Sequence, residues 1–270
     1  MRFGDLREMS YEAFLERAPR DAFWFFLHIP KTAGSSFSTE LATRLRPYRN
    51  IHVDYSRHDL SHNEKLDLAV SEFVGHPRRD RFRSASGHVP LHRLQPVRDA
   101  IPRMRIVTIL RAPEARVISD YRYQRTPMHP GHESFKKTFP TLESYVESEV
   151  SHDKMAHFVG GGDDVDVETL LRRADEDFAF IGLLEMYPFS FNTIFTLMGE
   201  PGLFPTEHKR RTPENADTAV EITPAISRRI RETNPRDFAL FEHVRSVLAP
   251  HREAWRAYLD ARRRPAAASG

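Results

Sequence analysis

The chain of 270 residues is long enough for one large domain or two small ones with a sizeable core. Its 40% hydrophobic and 29% charged residues describe a folded protein and exclude wholesale disorder. No cysteine is present, which excludes a disulfide framework, a thiolate nucleophile and any cysteine-ligated zinc or iron–sulfur centre.

Forty basic against 38 acidic residues leave a net charge of only +2, no general signal for a polyanionic partner. Arginine supplies 34 of the 40 positive charges, a bias that codon usage or a need for bidentate phosphate contacts explains equally well. The longest strongly apolar stretch, 23–29, contains His28 and falls far short of the ~20 residues that cross a bilayer. Asp5, Glu8, Glu12 and Glu16 crowd the first twenty residues, so no signal peptide is read there and a cytoplasmic location is expected.

In chain order, residues 5–20 read as a short helix. Phe23 to Ile29 is a strand buried on both faces, 30–36 a loop of small residues, and 37–45 a helix stopped at Arg46-Pro47. A second strand is predicted at 51–55, a helix at 61–74, a short strand at 82–87 and a stronger, β-branched one at 105–110. Pro113 opens a helix to about Arg125, broken by 127–131. A helix at 141–150, a glycine loop at 160–164, a strand at 178–184 and a helix at 189–198 follow. Residues 201–215 are an irregular loop, and helices close the chain at 224–232, 235–248 and 252–264 before a frayed tail at 265–270. Strands alternating with helices predict an α/β layered fold with a mostly parallel sheet, in a single domain.

Two segments carry chemistry. In Leu27-His-Ile-Pro-Lys31-Thr32-Ala33-Gly34-Ser35-Ser36, a buried strand runs into small residues and then a helix. Converging main-chain amides and a helix start bind phosphate, Thr32, Ser35 and Ser36 add hydroxyls, and Lys31 adds a mobile charge. The ATP-type loop, with its upstream glycine and its lysine entering the helix, is not matched. In Arg111-Ala-Pro113-Glu-Ala-Arg116-Val-Ile-Ser119, an arginine leaves a strand where open α/β sheets hold ligands, and Ser119 lies on the helix that follows. Arg116 and Tyr123 share a helix face with Ser119 and read as structural. His58 and His62, like His88 and His92, are four apart but lack a third ligand, so no metal site is expected.

The first segment resembles the 5′-phosphosulfate loop of sulfotransferases that use 3′-phosphoadenosine 5′-phosphosulfate (PAPS). It is most similar to the carbohydrate branch of the heparan sulfate 2-O- and 6-O-sulfotransferases, with Ala33 where that branch has a first glycine. The second resembles the family's 3′-phosphate motif, and the likeness extends over about residues 22–250. It implies a P-loop-NTPase-like three-layer fold, a central mostly parallel sheet flanked by helices, over 1–270. It also implies transfer of a sulfonate from PAPS to a hydroxyl of a carbohydrate or glycolipid. Lys31, Thr32, Ala33, Gly34, Ser35 and Ser36 would then hold the phosphosulfate, and Arg111 and Ser119 the 3′-phosphate. Lys31 would neutralise the leaving oxygen, with no metal required.

Ser86-Gly87-His88 is similar to the segment that supplies the base of the 2-O-sulfotransferase, which makes His88 the expected base. Ser86 stands where that enzyme has a second histidine, leaving a single base. His52, Asp54, His58 and Asp59 are weaker rivals. Phe180 to Glu185 resembles a family strand that orders the core, unless Glu185 instead contacts the ligand. His208 to Pro213 resembles a loop closing over the nucleotide, from which Arg211 and Thr212 would reach the ligand, unless it is a solvated charge run. Asn234 to Phe241 resembles the family's packing helix. The arginines at 78, 79, 81 and 83 read as an exposed charge run or as contacts for an anionic sugar. The expected partners are the nucleotide and its acceptor, with no nucleic acid. A nucleoside-triphosphate-dependent kinase and a catalytically inactive nucleotide-binding homologue remain as alternatives.

Overall fold

The computed structural model describes residues 1–205 and 219–263. The 208–213 run, with Arg211 and Thr212, and the tail at 265–270 lie outside the described residues.

Five strands make one sheet in the order β2-β3-β1-β4-β5, and every neighbouring pair is parallel. They are β1 (Phe23–Leu27), β2 (Tyr48–Ile51), β3 (Ser84–Gly87), β4 (Met104–Leu110) and β5 (Phe180–Leu183). β1, β3 and β5 are buried at every position, as strands covered on both faces must be. Helix α2 (Gly34–Arg44) joins β1 to β2, α3 (His62–Val74) joins β2 to β3, and α4 (Gln95–Ala100) joins β3 to β4.

The step from β1 to β2 runs one way along the sheet, and the later steps run the other. Right-handed crossovers therefore put α2 on the face opposite α3 and α4. The packing agrees: α3 lies against α4, while Phe37 of α2 meets Phe191 and Phe195 of α10 (Tyr187–Leu197), at 5.9 and 5.3 Å between ring centroids. This is the expected three-layer α/β fold. Because the connections after β1 and β4 diverge, a crevice opens between these adjacent strands at their carboxyl ends.

The crossover from β4 to β5 is long, with α5 (Pro113–Gln124), α6 (His132–Thr138), α7 (Leu142–Val146), α8 (Lys154–Gly160) and α9 (Val167–Asp177). Helices α11 (Pro224–Thr233), α12 (Pro235–Leu248) and α13 (Arg252–Arg263) follow α10. A second apolar cluster, including Val117, Tyr121, Phe135, Tyr145, Ile226 and Ile230, joins α5, α6, α7 and α11 away from the sheet.

Beneath this cluster α5 is fixed by a buried ionic network. Arg116, wholly inaccessible to solvent, bonds Asp120 Oδ2 at 3.3 Å and the Ser151 carbonyl at 2.9 Å, and faces Asp237 Oδ2 at 3.6 Å. Asp120 also accepts from Lys154 Nζ (2.7 Å) and Tyr145 Oη (3.0 Å). Burial alone would raise the Asp120 pKa, but Lys154 and Arg116 outweigh it and hold it at about 2. Asp237 goes the other way, to about 6, because its complete burial exceeds what Arg116 returns. The starts of α8 and α12 cap one another here. Asn234 Oδ1 accepts from the Asp153 amide, Asp153 Oδ1 from the Asp237 amide, and Asp237 Oδ1 from the Ala156 amide. Arg116 and the Asn234–Asp237 segment thus have the structural roles expected of them.

Several sequence expectations are corrected. β2 occupies 48–51, not 51–55, because its only partner β3 sets it: Tyr48 lies opposite Ser84 and Ile51 opposite Gly87. α2 starts at Gly34, three residues early, so Ser35 and Ser36 form its first turn and are not loop. The helix expected at 5–20 is a 3-10 turn (Phe3–Arg7) followed by α1 (Tyr11–Glu16), separated by the capping Ser10. Helices α6, α8 and α9 stand where loops or nothing were expected. α7 stops at Val146, short of 150.

Asp120→Ala leaves Arg116 and Lys154 short of their shared partner. Urea unfolding is expected to show a loss of about 3–5 kcal/mol at neutral pH. Because the folded pKa is depressed, the Asp120 contribution is present above about pH 4 and lost as pH falls towards 2. A loss under about 0.5 kcal/mol, the size of an ordinary surface change, would contradict the role of the network.

Candidate active site

The site grows from the parallel register. Leu27 of β1 and Ile51 of β2 both lie opposite Gly87 of β3. The next residue of each strand is a histidine, so His52, His88 and His28 stand in one row at the carboxyl edge of the sheet. The His28 and His88 rings lie 4.0 Å apart between centroids at 32°. His88 Nδ1 lies 2.7 Å from the His28 carbonyl oxygen. A carbonyl only accepts, so Nδ1 carries the proton and Nε2 keeps its lone pair. His88 is open to solvent on one side and crowded by protein on the others. Desolvation lowers its pKa below the ordinary histidine value, the His28 carbonyl opposes this, and the nearby His52 and His62 add to the lowering.

From His28 the chain enters a tight turn. Lys31 and Ala33 have φ of 70° and 68°, left-handed backbone that side chains with a Cβ adopt at a cost of about 1 kcal/mol or more each. The methyl of Ala33 therefore sits where a glycine would be unstrained. Thr32 is buried and its hydroxyl donates to the Ile29 carbonyl at 3.0 Å, so this side chain ties the turn while its amide joins the loop. Gly34 opens α2, and a Cβ there would fall inside the imidazole of His28. Ser35 is half-buried and Ser36 buried in the first helical turn. Main-chain amides at a helix start, with the helix dipole behind them, are the kind of group that binds an anion.

β4 delivers Arg111 to the same point. Its Nη1 donates to the Lys31 carbonyl at 3.2 Å, which brings together the two sequence segments 80 residues apart. Burial lowers its pKa, with Glu185 pulling the other way. Glu185 Oε1 accepts from the Ala112 amide at 2.8 Å, so the segment after β5 fixes the turn that carries Arg111. Lys31 Nζ rests 3.8 Å from the centroid of the Tyr123 ring, a cation–π contact with α5. Ser119, half-buried one turn before Tyr123, lies on the same helix. Lys31, Thr32, Ala33, Gly34, Ser35, Ser36, Arg111 and His88 are thus brought to one edge, with Ser119 on the helix beside them.

Three further residues belong to the neighbourhood. His28 was not singled out from sequence, yet its ring bridges His88 and Gly34. Tyr123 holds the Lys31 ammonium and is more than a packing residue. Arg122 is half-buried, its charge bears on Arg111, and its buried Nε has no hydrogen-bond partner among the described residues. Two neighbouring guanidiniums with unspent donors make an anion-binding corner. The arginines at 78, 79, 81 and 83 precede β3 and lie at the opposite edge of the sheet, away from this site.

The sequence matches no family model and no curated protein. Among solved structures, the chain is similar to a sulfotransferase from Alicyclobacillus acidocaldarius at 17% identity and a TM-score of 0.47, over 87% of this chain and 98% of that one. It is also similar to mouse sulfotransferase SULT7A1 complexed with PAP, at 14% identity and a TM-score of 0.45, over 93% and 95%. At such distances the roles of residues rest on the geometry above. No helix among the described residues is long and apolar enough to cross a membrane.

Two one-methyl changes at adjacent positions should move stability in opposite directions. Ala33→Gly relieves left-handed strain and is expected to hold or raise the unfolding free energy, by up to about 1 kcal/mol. Gly34→Ala drives a methyl into His28 and should cost about 1–3 kcal/mol. Thermal unfolding of both proteins reads this out; a destabilised Ala33→Gly would remove the strain argument.

Proposed function

We propose that the protein is a PAPS-dependent sulfotransferase that moves a sulfonate to a hydroxyl of a carbohydrate or glycolipid acceptor. The observation that carries this reading is the Arg111–Lys31 hydrogen bond, which joins the two phosphate-type segments at one crevice beside His88. The residues fit the co-substrate. The α2 start and Lys31 match its 5′ end, and Arg111, Ser119 and Arg122 supply donors for a second phosphate. The carbohydrate acceptor follows from the branch that the sequence segments resemble.

PAPS supplies the sulfonate as an activated group on a phosphate oxygen. The protein must align the acceptor oxygen with the breaking S–O bond, take its proton and stabilise the charge left on the phosphate. His88 takes the proton at Nε2, because its Nδ1 is tied to the His28 carbonyl. The lowered pKa keeps the ring neutral, and so competent as a base, at mildly acid pH. Lys31 leaves the Tyr123 ring to meet the developing charge, and the amides of the first α2 turn face the same group.

The test is turnover of PAPS to PAP with a panel of sugar acceptors. Lys31→Ala should lower kcat by about 10²–10³, the range for losing one preorganised charge-stabilising donor; near-normal turnover would remove Lys31 from the mechanism. The acid limb of kcat/KM should lie below the ordinary histidine value of about 6.5 and vanish in His88→Asn. An unchanged limb in His88→Asn would assign the base elsewhere. Arg111→Ala should weaken PAP much more than ADP, and equal weakening would contradict the 3′-phosphate contact.

A further inference from the structure

The opposite edge of the sheet carries a different surface. In a wholly parallel sheet, the residues that lead into each strand gather at one edge. Here the lead-in residues 20–22, 46–47, 78–83 and 103 hold seven arginines, no lysine and two acids, Asp21 and Asp80. The whole chain carries a net charge of only +2, so the positive charge is concentrated locally.

These segments are knitted together. The Pro47 carbonyl accepts from the Arg83 and Ser84 amides, and the Arg83 carbonyl accepts from the Trp24 amide. Arg103 Nη2 donates to the carbonyls of Asp80 (2.8 Å) and Phe82 (3.3 Å), and the Arg103 carbonyl accepts from the Phe23 amide. The arginines therefore follow the strand order β2-β3-β1-β4 as a stripe about 14 Å long, three strand spacings. Both acids are occupied, Asp21 with Arg103 and Asp80 with Arg79, each at 3.7 Å. Arg20, Arg78, Arg81 and Arg83 are exposed, and their guanidiniums have no hydrogen-bond or ion-pair partner among the described residues. At the β5 end the stripe stops, because Arg98 is neutralised by Asp177 at 2.9 Å.

We infer that this arginine stripe is a docking surface for a linear polysaccharide bearing sulfate or carboxylate groups. Guanidinium forks take either group in a bidentate contact, and a row of them suits a chain with charges repeated along its length. Single-stranded nucleic acid also needs aromatic platforms for its bases, and a membrane surface needs apolar side chains to insert. Among the described residues the exposed large apolar ones are Tyr55, Met128, Val150, Val167 and Ile222, and none belongs to these segments. The surface lies across the sheet from His88 and Lys31, so it binds without occupying the crevice.

The experiment measures binding of fluorescein-labelled dextran sulfate and polygalacturonate by anisotropy. Neutral dextran and a single-stranded oligothymidylate serve as comparison probes. The wild-type protein is set beside Arg78→Ala/Arg81→Ala/Arg83→Ala and beside Arg228→Ala/Arg252→Ala/Arg256→Ala, which removes three exposed arginines elsewhere. Expected is salt-sensitive binding of one or both anionic polysaccharides, weakened about tenfold or more by the first triple substitution and about twofold or less by the second. The arm that binds tells sulfate from carboxylate. Equal losses in the two variants, binding of neutral dextran, or tighter binding of the oligothymidylate would each overturn the inference. PAP affinity, measured on the same three proteins, should not change. A protein that binds no PAP would fail the nucleotide reading while leaving the polysaccharide arms readable.

Discussion

The hydrogen bond from Arg111 to the Lys31 carbonyl is the contact on which the site depends. It ties the end of β4 to a turn whose backbone is strained at two residues, Lys31 and Ala33. Without an external anchor such a turn has cheaper conformations. Arg111 anchors one side of it, Thr32 ties it from within, and the His28 ring lies against Gly34 where α2 begins. Arg111 is itself steadied from β5, through the bond between Glu185 and the Ala112 amide. The strained turn, Arg111 and the histidine row are therefore one cooperative arrangement.

Parallel pairing explains why these groups meet at all. Residues that follow strands collect at one edge and residues that precede them at the other, so His28, His52 and His88 assemble across from the arginines of the lead-in segments. Helix α5 carries Arg122 and Tyr123 towards Arg111 and Lys31, and Arg116 and Asp120 into a buried network. Buried ion pairs of this kind add little net stability but are costly to break singly, which gives α5 one well-defined seat.

The sequence was most legible where side chains alone decide the structure. β1 is an unbroken apolar run, β4 an apolar, β-branched one interrupted only by Arg105 and Thr108, and the proline at the start of α5 marks its first turn. β2 carries a weak signal because its edge position leaves Arg49 and Asn50 exposed, and pairing with β3, not apolarity, sets its limits. α9 has little apolar periodicity, because only Leu170 and Ala174 are buried along eleven residues, although Asp166 capping the Thr169 amide is a readable start signal. Arg111 and His88 are readable because each stands directly after a strand, and Lys31 because it lies in the small-residue loop between β1 and α2. His28 was not, since its nearness to His88 is a property of the register between β1 and β3. Arg122 was hidden in the same way: a buried, unspent Nε is a tertiary fact.

The central claim is a nucleotide site that recognises a 3′-phosphate without a metal ion. Calorimetric titration of the purified protein with PAP, ADP and ATP, with and without magnesium, tests it most directly. The account predicts that PAP binds more tightly than ADP by tenfold or more, about 1.4 kcal/mol, and that magnesium leaves its affinity unchanged. Preference for ATP in the presence of magnesium, or equal affinity for PAP and ADP, would contradict it.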